Sequence, residues 1–331
     1  MLKGVVAISA NSLWSVGSYT DTNGVNQTLI EHWNGTKWRV VLSPTIPGSS
    51  GNQLDAVTRV PGTSTLWAVG DTNSAQQTLI ERWNGLKWSI IPSPSPGSSG
   101  NSLRGVAALS AKNVWAVGSS WGNNITSALI EHWDGTKWSI VSMTNGGVGL
   151  SGIVALSATD IWAVGDCTLG ILIEHWDGTK WGVAIDGTGA SYLCGVAALS
   201  ANDIWAVGYY YNSSIFNNQQ LTEHWDGTSW RAIPNPGGNG SVLNSVTAIS
   251  ATNVWAVGSY YSVFTNQINT FIERWDGLSW QQVSSPNSGQ YANFLLGVVR
   301  VPRTSSLWAV GDYDINPPES TITNTLIEIY A

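Results

Sequence analysis

Short apolar runs alternate with polar punctuation along this chain, and the same order of runs is written seven times. The third copy shows it well. Residues 103–110 are small and apolar and predict a first strand, A; residues 114–118, Val-Trp-Ala-Val-Gly, predict strand B after a tight turn. A polar loop of variable length then leads to residues 128–133, strand C, and Asp134-Gly135 turns the chain into strand D over residues 137–141. With Asp134-Gly135 as a two-residue type I′ turn, Trp133 is expected to face Thr136 and Glu131 to face Trp138 across the ladder. Connections rich in Pro, Gly, Ser and Asn, such as residues 92–97, carry each strand D to the next strand A. No stretch has helical periodicity over a useful window.

The strand B tryptophans are Trp14, Trp67, Trp115, Trp162, Trp205, Trp255 and Trp308, spaced 43 to 53 residues apart. That is the period of four-stranded propeller blades, so the chain reads as an all-β protein: one seven-bladed β-propeller over residues 1–331. Blades diverge with radius, which puts the small residues of strand A at the axis and the tryptophans further out. The chain opens on a strand A and its last repeat stops at strand C. Only an outermost strand can be omitted without stranding backbone groups inside a sheet. Strand D is therefore expected outermost, the last blade is expected to be three-stranded, and residues 325–330 become an open edge for a partner strand.

Composition narrows the function classes. The net charge of −7 with no basic cluster argues against nucleic acid. No apolar run is long enough to span a membrane. Only 11% of residues are charged, so the surface is built from neutral polar residues, which suits an extracellular or cell-surface protein whose leader has been removed. A cytoplasmic site is the alternative. Cys167 and Cys194 fit no metal spacing; both fall on one rim of adjacent blades, where a disulfide is geometrically possible.

Residues 204–208, Ile-Trp-Ala-Val-Gly, followed by residues 223–230, Glu-His-Trp-Asp-Gly-Thr-Ser-Trp, resemble a tryptophan-rich propeller repeat of bacterial proteins. The Gly-x-x-Trp ending is distantly similar to the Asp-box hairpin of sialidase-type propellers, and the spacing is close to that of kelch repeats. The resemblance implies a fold and no activity.

A repeat carries its own control: a residue type present in every blade serves the scaffold, and function lies in what differs. Glu31, Glu81, Glu131, Glu174, Glu223, Glu273 and Glu328 fill one slot of strand C, each but the last followed by His32, Arg82, His132, His175, His224 or Arg274. These are expected to be structural, Glu of one blade meeting the cation of the next and accepting from the strand D indole. With all four histidines in that slot, none remains for a unique catalytic site, and the chain is read as a non-enzyme with no cofactor and no metal. Asp71, Asp166 and Asp312 follow the strand B glycine in three non-adjacent blades and read as turn caps. What departs from the repeat is aromatic: Trp121, Tyr209, Tyr210, Tyr211, Phe216, Tyr260, Tyr261 and Phe264, in or beside the B–C loops and interleaved with Asn and Gln. Aromatic faces with neutral amides suit a glycan or a wet protein interface. The leading expectation is lectin-like carbohydrate binding on this rim. A protein-interaction scaffold is the alternative, and a glycoside-active enzyme, using Asp55 with the three aspartates above, ranks third.

Overall fold

The computed structural model describes residues 1–44, 46, 51–72, 77–141, 149–167, 170–186, 189–236, 238, 240–315 and 324–330. The architecture is a seven-bladed β-propeller built from antiparallel blades. Blades 1 to 6 have four strands in the order A-B-C-D, strand A innermost. Neighbouring A strands line one axial channel, and the ring closes where the first strand (Leu2–Ser9) packs on strand A of blade 7 (Ala292–Arg300). Blade 7 has three described strands: Ala292–Arg300, Leu307–Asp314 and Asn324–Tyr330.

Tryptophan holds the blades together. At each junction the strand B ring of one blade meets the strand C and D rings of the next: Trp67 lies 5.0 Å from Trp133 and 5.3 Å, edge-on, from Trp138. The same trio joins blade 7 to blade 1, with Trp308 against Trp33 and Trp38, so the contact runs across the point where the chain returns on itself. At the junction of blades 6 and 7, Trp255 meets Tyr330, and no strand D ring completes the set among the described residues. Of the twenty tryptophans, only Trp121 stands outside this pattern.

The C–D hairpin differs from the sequence expectation. Trp133 faces Trp138 and Glu131 faces Ile140, around a four-residue loop. Asp134 Oδ1 accepts from the backbone N–H groups of Thr136 (2.7 Å) and Lys137 (3.0 Å) and so holds a wider turn in which Gly135 has φ 102°. The side-chain cap and a single glycine take the place of a two-residue I′ turn. The shift brings the two tryptophans of the hairpin side by side on one face, which forms the junction trio.

Strand A carries a β-bulge in every blade. Pairing with strand B skips one residue: Lys3, Asp55, Arg104, Ser151, Cys194, Asn244 and Leu296 in blades 1 to 7. Beside each bulge the two backbones touch at the strand B glycine. A Cβ on Gly118 would lie 1.9 Å from the Ser102 carbonyl oxygen, and the same clash recurs at Gly17, Gly70, Gly165, Gly208, Gly258 and Gly311. The Trp-Ala-Val-Gly signature therefore ends in glycine because strand A folds onto it.

Candidate functional site: the channel mouth and its rim

Each skipped residue projects toward the axis, and all seven line the channel. At the B–C end the channel opens into a cavity of about 600 Å³. Six of its linings are Lys3, Asp55, Asp71, Arg104, Trp121 and Asp312. At the position that touches this space the seven blades carry seven different residues: two cations, a carboxylate, a hydroxyl, a thiol, an amide and an aliphatic chain. Reasoning from the sequence missed this set apart from Asp55 and, as a disulfide candidate only, Cys194. The available signal was the single variable residue between the strand A leucine and the small residue after it.

The mouth is organised by internal bonds. Lys3 pairs with Asp55 and donates to Gln53 Oε1 (3.2 Å), while Gln53 Nε2 donates to Asp71 (3.1 Å). Burial pushes the carboxyl of Asp55 upward against the pull of Lys3, and it pushes Asp312 upward as well. Arg104 is exposed in the cavity and makes no hydrogen bond or salt bridge among the described residues. The three aspartates thus do not cap turns as expected. They lie inside or at the end of strand B, and Asp71 and Asp312 come together at the mouth although their blades are not adjacent, because the channel gathers every blade.

The aromatic residues divide into three groups. Trp121, in strand B of blade 3 (Asn113–Gly122), lines the mouth with its indole against Gly100, where a Cβ would fall 2.1 Å from the ring. Tyr209, Tyr210 and Tyr260 are half-buried and engaged with neighbours: Tyr209 stacks on Tyr192 at 5.0 Å, Tyr210 donates to Gln219 (2.6 Å), and Tyr260 packs edge-on against Phe271. Tyr211, Tyr261, Phe216 and Phe264 are the exposed members of the set, the last two 81% and 97% exposed, with Ile215 and Val263 beside them. The expected single aromatic surface is therefore two apolar hairpin tips. They are neighbours: Gly240 N–H donates to the Asn218 carbonyl of blade 5 at 2.8 Å, and the Gly240 carbonyl accepts from Tyr261 N–H of blade 6 at 3.2 Å.

Phe216 has φ 51°, and the matching position of the next tip is Asn266, φ 55°. A bulky side chain there costs about 1–2 kcal/mol, whereas asparagine is tolerated. Phe216→Asn should therefore raise stability by about 1 kcal/mol in chemical denaturation; a loss would mean the ring is structural.

The glutamate and cation slots do not pair with each other. His132 Nε2 meets Asn113 Oδ1 at 2.9 Å while its ring lies 4.3 Å from Trp115 of its own blade; His175, His224 and Arg274 bond Asp160, Asp203 and Asn253 in the same way, and His32 bonds Ser12. Arg82 lies over Trp67. Among the described residues three of the seven glutamates bridge blades, through neutral donors. Ser43 donates to Glu81 (2.8 Å), Asn235 to Glu273 (2.7 Å) and Ser285 to Glu328 (2.8 Å), each also bonded to a strand C threonine of the preceding blade. Their mark in the sequence is a Ser-Pro or Asn-Pro pair five residues after the strand D tryptophan. The indole N–H groups of Trp38, Trp88, Trp138, Trp230 and Trp280 are buried without a partner among the described residues, so the expected indole-to-Glu bond is not made. The physical reason is economy of charge: a neutral donor satisfies a buried carboxyl without burying a second ion.

Burial pushes Glu81 and Glu131 up to about 8 and Glu174, Glu223 and Glu273 up to about 7. Their folded forms bind protons more tightly than the unfolded chain does. Their contribution is thus complete below about pH 4.5 and is lost as pH rises to about 8. Burial lowers His32 and His132, which oppose this trend below about pH 6.5, but they are fewer. The melting temperature should fall between pH 5 and pH 8.5, and Glu131→Gln should flatten the fall. A melting temperature that rises over that interval would contradict the assignment.

Cys167 and Cys194 are not bonded to each other. The Cys194 side chain turns into the channel as a bulge residue, burial pushing its thiol up to about 12, while Cys167 packs against the junction of blades 3 and 4. One faces the axis and the other faces a neighbouring blade.

No protein-family model matches the chain, and no curated protein matches it in sequence. Solved β-propellers do match in structure. YCF48 from Cyanidioschyzon merolae aligns with TM-score 0.58 and 13% identity over 93% of this chain and 92% of its own. The WD40 propeller domain of Doa1 gives 0.57 and 12%, over 93% and 88%. The GH74 xyloglucanase from Xanthomonas campestris gives 0.61 and 14%, over 95% of this chain and 52% of the enzyme. YCF48 has also been solved bound to D1 peptide, with TM-score 0.57 and 13% identity over 93% and 89%. At these identities the likeness is one of fold.

Proposed function

We infer that the protein is a non-enzymatic binding module that takes a polypeptide partner on the B–C rim, its apolar tips anchoring the partner and its channel mouth selecting it. The observation that carries this reading is the mouth: seven different bulge residues, two of them cations, surround one cavity in a repeating scaffold. The tips favour a protein over a glycan. Their exposed side chains include Ile215 and Val263 beside two phenylalanines, and branched aliphatic groups offer a sugar neither a stacking face nor a hydrogen bond. The peptide held by YCF48, a protein of the same fold, is in keeping with this class of ligand. Of the carboxylates at the mouth, Asp55 is paired with Lys3 and Asp71 accepts from Gln53, while Asp312 keeps one buried oxygen without a partner among the described residues; a glycoside-active site would need a second free carboxylate facing it.

Selection of peptides from a random displayed library, with a glycan array run in parallel, tests this. Selected peptides should lose affinity by about tenfold or more on Arg104→Ala and on the double change Phe216→Ser, Phe264→Ser, with melting temperatures almost unmoved because these groups are exposed. Glycan binding that depends on Tyr211 and Tyr261 but not on Arg104 would overturn the reading.

A further inference from the structure

Strand C of blade 7 (Asn324–Tyr330) has a partner on its inner side, Leu307–Asp314, and none on its outer side among the described residues. In blades 1, 2, 3, 5 and 6 the outer side is taken by strand D, whose last N–H donates to the strand C carbonyl just before the glutamate: Val41 to Ile30, Ile91 to Ile80, Val141 to Ile130, Ile233 to Thr222 and Val283 to Ile272, all within 2.8–2.9 Å. The corresponding carbonyl in blade 7 belongs to Ile327. Around it the blade is unfinished. Ile329 is 60% exposed, one carboxylate oxygen of Glu328 is buried without a partner, and Trp255 has Tyr330 but no edge-on third ring.

We propose that this edge is a second interaction site, which accepts one extended polypeptide segment by strand addition, antiparallel to residues 325–330, with the pattern Trp-x-Ile or Trp-x-Val. The chain itself supplies the chemistry of that occupant. Strand D reads Trp138-Ser139-Ile140 in blade 3, Trp88-Ser89-Ile90 in blade 2 and Trp38-Arg39-Val40 in blade 1; in all six blades tryptophan stands opposite the last residue of strand C, and in these three a branched aliphatic stands opposite the glutamate, where blades 5 and 6 have Ala232 and Gln282. In blade 7 those positions are Tyr330 and Glu328. An incoming tryptophan opposite Tyr330 completes the trio with Trp255, as Trp138 does with Trp67 and Trp133. Backbone bonds give affinity and the tryptophan slot gives selectivity.

The probe is the capped peptide Gly-Thr-Lys-Trp-Ser-Ile-Val, the sequence of residues 135–141, added to the whole protein. Binding should be saturable at one peptide per chain, and hydrogen exchange should slow at amides of residues 325–330 only when peptide is present. Replacing the peptide's tryptophan with alanine should weaken binding about tenfold or more. Ile329→Pro, which removes a backbone donor on an edge strand where proline is tolerated, should weaken it similarly while leaving the melting temperature nearly unchanged. If Ile329→Pro unfolds the protein, the peptide's tryptophan change alone decides. The proposal fails if the peptide does not bind at millimolar concentration, or if binding ignores the tryptophan. It fails equally if the edge amides are already protected without peptide, as they would be in a dimer seen by light scattering whose two copies pair edge to edge.

Discussion

Truncating Trp67 to alanine should cost about 3–5 kcal/mol of stability, a large fraction of the about 5–15 kcal/mol that holds an ordinary domain folded. The side chain is fully buried, sits between Trp133 and Trp138 of the next blade, and is covered by Arg82. Nothing nearby can collapse into the space, because the rings around it are fixed by the ladders of two separate sheets. Trp255 is the matched control. It too has an arginine over its ring, Arg274, yet across the junction it meets Tyr330 without a strand D tryptophan. Its truncation should cost less in the same denaturant titration. Equal losses at the two sites would mean that the strand D rings contribute little to holding blades together.

The second large effect comes from adding a single carbon. Gly118→Ala should destabilise by about 3 kcal/mol or more, since its Cβ would lie 1.9 Å from the Ser102 carbonyl oxygen and 2.8 Å from Leu103 Cα, backbone atoms that cannot swing aside. To admit the methyl group, strand A must give up its bulge or leave strand B. Gly182→Ala, in strand D of blade 4 with open space around the new carbon, should be neutral or mildly stabilising by comparison. A neutral outcome at Gly118 would show that the bulge yields easily and would remove the reason given for the invariant glycine. Because the bulge also aims Arg104 at the axis, a partly folded Gly118→Ala protein should bind mouth ligands poorly even at temperatures where it remains ordered.

The fold was legible because its determinants recur. Trp-Ala-Val-Gly and Glu-His-Trp-Asp-Gly, with their close variants, each state a strand and its limit, and recurrence in blade after blade suppresses the ambiguity of any one copy. Register was less legible: Asp134-Gly135 matches a two-residue turn, and only the oxygen of Asp134 bonding two amides reveals the longer loop that sets Trp133 beside Trp138. The glutamates were expected to meet the cations of the next blade; Glu81, Glu273 and Glu328 instead reach Ser43, Asn235 and Ser285, and their neighbours in sequence, the histidines and arginines, point to the other face. There the residue two before the strand B tryptophan, such as Asn113 or Asp160, takes up both ring and cation. The mouth was the hardest part to read. A bulge is a one-residue slip in pairing that leaves no mark in composition, and it brings Lys3, Asp55 and Arg104 to one cavity from positions about fifty residues apart. The aromatic loops were visible in the sequence, but alternation along a strand decides which rings face out. Tyr211 therefore meets solvent, while Tyr210 donates to Gln219.

Trp121 offers the most direct test that a partner enters the mouth, because the other nineteen tryptophans are set in the junctions between blades. A peptide selected for binding should be titrated into the wild-type protein and into Trp121→Phe while tryptophan emission is recorded. The account predicts a saturable change in the wild-type emission that is absent from Trp121→Phe, with the peptide still bound as judged by calorimetry. A change of the same size in both proteins would place the partner away from the mouth and contradict the account.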